Sequence, residues 1–371
     1  MSKIDQTYHQ LLNTILTDGY KYEDPNRKGI NRIQISDYKL VHDFKDGFPA
    51  ITTKELYWKG VVGELLWILR GEQNIKYLVD NGINIWNKDA LNFHKKKYPA
   101  DNNLPINEFI EQVENGVSGD IGRGYGAQLR NWNRSKYDMS KGIHPDAVSI
   151  DQFAELIHTL KTNPMATKKT VTFWNPAEKD ECALTPCHWS FEILVEPIIN
   201  RYTHRVLNTV RELDNCECNT KKDSHGTTSR QKRGYCSECR ENSKIPEYQF
   251  TLKWHQHSCD VFLGEPFNIA SYALLAQIIG KMTNMIPKGI IGDLSNVHIY
   301  EPHLDAVKEQ LSRDVNKYSK CELEFTPIAL AAFEHKSNNI DDFLNNVTLD
   351  NFKLKDYKSY PRIPAEMLAY S

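Results

Sequence analysis

The chain has 371 residues, a formal net charge of −2, 40% hydrophobic residues and 25% charged residues. That balance is ordinary for a globular protein with one large core or several smaller ones, and near-neutrality argues against a general binder of nucleic acid or membrane surfaces. No apolar run of about 18 residues offers a membrane span, and Met1 to Tyr8 holds no apolar signal core, so a cytoplasmic location with reduced cysteines is expected.

The spacing of Ile4, Tyr8, Leu11, Leu12, Ile15 and Leu16 predicts a helix over 3–20. The loop Asp24 to Gly29 sets two cations, Arg27 and Lys28, beside a glycine. Such a loop can wrap a phosphate, although composition alone favours a solvated turn. Residues 33–44 alternate like one or two strands. A strong helix follows over 54–70, with Glu64 inside its apolar surface. A carboxylate there is either functional or at the polar edge of the helix. A short helix is expected at 75–79. Residues 93–118 are polar and read as an insertion. Asp120 to Gly126 is glycine-rich but lacks the spacing of a nucleotide phosphate loop. A helix over 151–162 and a strand over 170–174 come next.

Pro186-Cys187-His188 opens an alternating apolar run, Trp189 to Glu196, that reads as a strand. A thiol at a strand entrance beside an imidazole fits a covalent nucleophile. Alone the signal is weak, because a buried cysteine is more often an inert small hydrophobe. Beyond a second strand-like stretch to about 210, residues 215–242 are polar and basic. They carry Cys216-x-Cys218 and Cys236-x-x-Cys239. This spacing suits a four-thiolate zinc site, or free thiols in a loop. The basic residues of this loop lack the aromatic interleaving of a nucleic-acid contact. Strands are expected at 248–259, 295–300, 322–329 and 351–356, and helices at 267–286 and 301–312.

Several stretches together resemble the thymidylate synthase family. They are Asp46-Gly-Phe-Pro49, Thr52-Thr-Lys54, Glu64-Leu-Leu-Trp67, Ile85-Trp86, Tyr125-Gly126, Trp174-Asn175, Pro186-Cys187-His188, Ser258-Cys-Asp260, Leu263-Gly264, Pro266 to Tyr272 and His298-Ile-Tyr300. They cover most of the chain, as a single domain with insertions near 93–118 and 200–246. The resemblance implies an α/β (α+β) fold with a large, twisted, mostly antiparallel sheet and a homodimer packed through the sheet face. It also implies a pyrimidine nucleotide substrate and 5,10-methylenetetrahydrofolate as one-carbon donor.

By the same resemblance, Cys187 adds to carbon 6 of the ring, with His188 beside it. Glu64 and Tyr125 move protons. Asn268 reads the base, because an amide both donates and accepts as uracil requires. His298 and Tyr300 bind the sugar. Arg27, Lys168, Lys169, His257 and Ser258 lie at the phosphate, and Trp86, Asp260 and Lys54 at the folate.

The departures shape the functional expectation. The family grips phosphate with four arginines, yet His257 replaces one, and Thr167, Lys168 and Lys169 stand where the partner subunit supplies two. Asp89 stands near the family's second folate-side tryptophan. Gly122-Arg-Gly124 replaces a Gly-Pro-Val type loop, and Gln128-Leu-Arg130 replaces Gln-Trp-Arg. A wetter wall at the folate favours water over hydride as the final acceptor's partner. The expectation is therefore a hydroxymethyltransferase converting dUMP to 5-hydroxymethyl-dUMP, of the kind found in bacteriophages. Reductive methylation of dUMP to dTMP is the alternative. A non-catalytic nucleotide- or RNA-binding protein is the second alternative, and the retained Cys187, Glu64, Tyr125 and Asn268 argue against it.

Overall fold

The computed structural model describes residues 2–23, 30–138, 142–198, 246–333 and 339–368. The helix Lys3–Asp18 buries Ile4, Tyr8, Leu11, Leu12 and Ile15, the stripe its spacing predicts. Asp5 is buried with them. Its carboxylate accepts from Thr52 N (2.7 Å), Thr52 Oγ1 (2.8 Å) and Thr53 N (3.2 Å). These bonds offset the cost of burying the charge and pin the Thr52-Thr-Lys54 turn.

The strands are β1 (Tyr20–Glu23), β2 (Asn31–Asp43), β3 (Trp132–Asp138), β4 (Gly142–Ile150), β5 (Thr170–Thr172), β6 (His188–Pro197), β7 (Tyr248–Gln256), β8 (Cys259–Asp260), β9 (Ile286–Tyr300), β10 (Glu322–Phe325) and β11 (Phe352–Lys355). Seven of them form one sheet in the order β1-β2-β9-β7-β6-β5, with β8 beside β9. Pairing is antiparallel except for β7 with β9 and β8 with β9. This is the large, mostly antiparallel sheet flanked by helices that the resemblance implied. The pairs β3–β4 and β10–β11 stand apart from it.

Alternation decides which face is covered. In β7, Phe250, Leu252, Trp254 and Gln256 are buried while their neighbours are only partly so. Against that face lies the helix Glu265–Thr283, apolar nearly all round and buried at thirteen of its positions, Ile269, Tyr272 and Leu274 among them. The other face leaves Val41, Leu194 and Trp189 exposed. It also carries a charged cluster in which Lys253 and His255 both meet Glu192 and Asp293 at 3.0–3.8 Å.

Several elements differ from the sequence expectation. The short strand expected at 295–300 is the end of a fifteen-residue strand, β9. Gly289 and Gly292 interrupt its apolar alternation and hide its first half. At Gly292 a Cβ would lie 2.5–3.0 Å from the Trp254 ring, which is itself stacked on Tyr272 (centroids 5.1 Å, 11°). Gly292→Ala should therefore cost about 1–3 kcal/mol by overpacking, seen as a lower urea midpoint with an unchanged slope.

The strand expected at 322–329 stops at Phe325, and Pro327 opens a helix, Pro327–Phe333. The polar insertion 93–118 is largely helical, and it buries Phe109 and Val113 completely. The stretch expected to reach about 210 as a strand lies beyond 198, outside the described residues.

Candidate active site

Cys187 sits one residue before β6, at the point where a long loop enters the sheet. Two hydrogen bonds hold its backbone. Its N–H donates to Tyr125 Oη (2.9 Å), and its carbonyl accepts from His257 N (2.9 Å). Its thiol is half-buried and lies 3.9 Å from Thr185 O. The other described cysteines are buried, and burial raises the pKa of each: Cys182 upward, Cys321 to about 12, Cys259 far above the usual thiol range.

Around Cys187 the structure packs the adjacent His188 against residues that lie far from it in sequence. Tyr125 opens the helix Tyr125–Arg130 and stacks on His188 (centroids 4.3 Å, 21°). His188 Nδ1 meets Tyr272 Oη at 2.8 Å. Burial, and then the neighbouring His257, lower the His188 pKa to about 3, so its ring is neutral. His257 is also lowered by burial. Neither imidazole is a standing cation beside the thiol.

Glu64, on the helix Trp58–Leu69, accepts from Trp86 Nε1 at 2.6 Å. Burial raises its pKa to about 7, against the opposing pull of that hydrogen bond. Trp86 also sets its edge toward Tyr125 (6.2 Å). A cavity of about 30 Å³ lies beside them, lined by Glu64, Leu129, His188, Asn268 and Ser271 among others, large enough for about one water. Glu64 thus faces this interior cavity and not a solvated polar edge of its helix.

Asn268 stands in the first turn of the helix Glu265–Thr283, and its Nδ2 donates to Gln256 Oε1 (3.2 Å). Gln256 Nε2 in turn donates to Ser258 O (2.9 Å). His298 and Tyr300 are buried two residues apart on β9, ring edge to face at 4.9 Å. His298 Nδ1 lies 2.7 Å from Asn296 O. His257 packs edge-on against Trp174 (5.1 Å), and its carbonyl accepts from Asn296 Nδ2 (2.8 Å).

Lys54 is buried. Its Nζ donates to Phe262 O and sits 3.7 Å from the Phe262 ring centroid. Burial lowers its pKa to about 7, opposed by Asp260. Asp260 Oδ1 accepts from the N–H groups of Phe262 (3.1 Å) and Leu263 (3.3 Å), which shapes the turn leading to the long helix. Lys168 is exposed. Lys169 is buried and donates its Nζ to Pro164 O (2.6 Å). Asp89 is 5% exposed, with Oδ1 lacking a hydrogen-bond partner among the described residues. Arg27 and the four cysteines Cys216, Cys218, Cys236 and Cys239 lie outside the described residues. Within the described residues no group of three His, Cys, Asp or Glu side chains is placed to hold a metal, and no helix is long and apolar enough to cross a membrane.

A polar staple that the sequence reading missed joins the loop before Tyr125 to the loop before Cys187. Arg123 Nε lies 2.8 Å from Glu178 Oε2. Gln128 Nε2 (2.8 Å) and Asn175 Nδ2 (3.1 Å) donate to that same oxygen. Arg123 N also donates to Glu181 O, and Ala183 N to Ile121 O. Gly122 has φ +72°, and a Cβ there would collide with Glu181 O, so this close approach requires glycine. The signal in the sequence was the Gly-Arg-Gly departure itself. Tyr272 and Gln256 were missed too. Both lie within or next to matched motifs, but only the fold turns their polar atoms toward His188 and Asn268.

The family model described as thymidylate synthase matches residues 6–369. Similar proteins named thymidylate synthase come from Mesoplasma florum, 30% identical over 366 residues (97% of this chain, 98% of that one), and Mycoplasma genitalium, 33% identical over 312 residues (82% and 85%). A third comes from Malacoplasma penetrans, 32% identical over 367 residues (97% and 98%).

Proposed function

Because the chain belongs to the thymidylate synthase family, and so to the pyrimidine nucleotide C5 one-carbon transferases, we propose that it methylates dUMP reductively to dTMP. In this reading 5,10-methylenetetrahydrofolate supplies both the carbon and the hydride. The supporting observation is the dry wall around the nucleophile: Trp86 and Tyr125 are 6% and 3% exposed, and the cavity at Glu64 has room for about one water. A dry apolar wall favours hydride over water at the exocyclic methylene. The full-length relatives, all named thymidylate synthase, agree with it.

The residues take these roles. The Cys187 thiolate bonds to carbon 6, which makes carbon 5 an enolate-type nucleophile toward the folate methylene. Tyr125, whose hydroxyl oxygen accepts from Cys187 N, assists removal of the proton at carbon 5. Glu64, held by Trp86, exchanges a proton with the ring carbonyl. Asn268 reads the base, and His298 and Tyr300 the sugar. His257 and Ser258 take the phosphate side, with Arg27 as a further phosphate ligand and the exposed Lys168 supplied by a partner subunit, while Lys169 is held against Pro164 O. Trp86, Asp260 and Lys54 bound the folate. A homodimer through the exposed sheet face would cover Val41, Leu194 and Trp189.

The hydroxymethyl reading keeps one observation in its favour: the buried Oδ1 of Asp89, which has no hydrogen-bond partner among the described residues, a group that seeks a water. Incubation with dUMP and methylenetetrahydrofolate separates the two. Dihydrofolate absorbance rising in step with dTMP is expected. 5-Hydroxymethyl-dUMP formed without dihydrofolate would overturn the methylation reading.

A further inference from the structure

Glu265 is the one residue that interrupts the matched run from Leu263 to Tyr272, and no role falls to it in the proposed reaction. It is fully buried in the first turn of its helix. The Cys259 thiol donates to its Oε2 at 2.9 Å, and its Oε1 is buried without a hydrogen-bond partner among the described residues. The Asn268 side chain, one helical turn on, is within hydrogen-bonding reach of the same carboxyl group. A second acceptor, Gln256 Oε1, already takes an Asn268 Nδ2 proton at 3.2 Å.

Asn268 Nδ2 has only two protons. Gln256 holds one, and uracil O4 needs the other. An ionised carboxylate beside the amide is a charge-assisted acceptor, roughly twice as strong as a neutral one, and would capture that second proton. We propose that Glu265 is a positioning residue for base recognition: kept as the neutral acid, it leaves the second Asn268 Nδ2 proton for uracil O4. The inference rests on the dUMP reading above.

The surroundings keep the acid neutral. Its neighbours are the Cys259 thiol and Asp260 of β8, Tyr8 of the first helix and Tyr272 of its own helix. Lys54, the nearby cation, is turned to Phe262 O and faces Asp260. Burial raises the Glu265 pKa to about 8 over the opposing influence of the Cys259 thiol and the nearby Asn268 amide, both of which favour the ionised form. Near neutral pH the amide is therefore free to donate. Above that value it is drawn back.

The test is the dissociation constant of dUMP from the whole enzyme at about pH 7 and about pH 9, for the wild type, Glu265→Gln and Glu265→Leu. Ionisation of the uracil ring is common to all three and cancels in the comparison. The wild type should weaken about tenfold more than either variant across that interval, as one ionisation near pH 8 requires. A packing role alone would alter stability without moving this ratio. Either variant suffices if the other does not fold. If the wild type and the variants follow the same pH course, the inference is wrong. If the wild type fails to bind dUMP at about pH 7 and forms no adduct with 5-fluoro-dUMP and folate, it is the parent reading that has failed.

Discussion

Cys187→Ala should lower turnover by four orders of magnitude or more, on the order seen when a covalent nucleophile is removed, while the protein keeps its fold. Each half of that expectation has a structural reason. The Cys187 backbone carries the contacts that hold the loop, to Tyr125 and to His257 N. The thiol is half-buried and makes a long contact to Thr185 O, so truncation to alanine removes a single sulfur atom and leaves those backbone contacts in place. No other described cysteine is a ready substitute. Cys182, Cys259 and Cys321 are buried, and burial holds each thiol in its protonated, unreactive form. A gel-stable complex with 5-fluoro-dUMP and methylenetetrahydrofolate should form with the wild type and vanish in the variant. Normal turnover by Cys187→Ala or Cys187→Ser would remove the basis of the proposed mechanism.

The second large effect falls on Glu64. Glu64→Gln should lower kcat by about 10²–10⁴, the usual worth of a positioned proton donor. It keeps the shape and the Trp86 contact but cannot exchange a proton. Burial places the wild-type group near pH 7. If its neutral form donates to the ring carbonyl, kcat should fall on the alkaline side of about pH 7 in the wild type. That limb should be absent in Glu64→Gln. A limb that survives the substitution belongs to another group. The readout also separates the two buried acids, since Glu64 acts on kcat and Glu265 on nucleotide affinity.

The same shift bears on folding. In the unfolded chain Glu64 ionises near its ordinary value of 4.5, while in the folded chain it holds its proton to about pH 7. Stability from this group is full below about pH 4.5 and declines as pH rises toward 7. Glu64→Gln should flatten that slope.

Much of the candidate site was legible in the sequence through resemblance. Cys187, Tyr125, Glu64 and Asn268 each sit in a short run that resembles the family, and the fold brings them to one place. The expected wet wall rested chiefly on the replacement of a tryptophan by Asp89. That residue is buried, away from the cavity beside Glu64, and a one-residue exchange does not reveal which way a side chain packs. Long-range pairings were not legible at all. Arg123 and Glu178 are far apart in sequence and joined only because two loops run side by side. Glu265 falls between two matched stretches, and its contact with Cys259 arises only because the turn folds back. In β9 two glycines hid a long strand, since alternation is the only local sign of a sheet and glycine erases it.

The ladder between β6 and β7 ends where Pro197 faces Tyr248, and Ile198 N still donates to Glu247 O at 3.0 Å. The chain therefore leaves and re-enters the sheet about 5 Å apart, at the opposite end of β6 from Cys187, about 30 Å along a ten-residue strand. A hairpin closed so firmly at its base accepts almost any length of connection, because each doubling of a loop adds only about 0.6 kcal/mol of closure entropy. Evolution could thus lengthen the segment between these strands at small thermodynamic cost and without disturbing catalysis, and a protein engineer could excise it, or graft a reporter there, for the same reason.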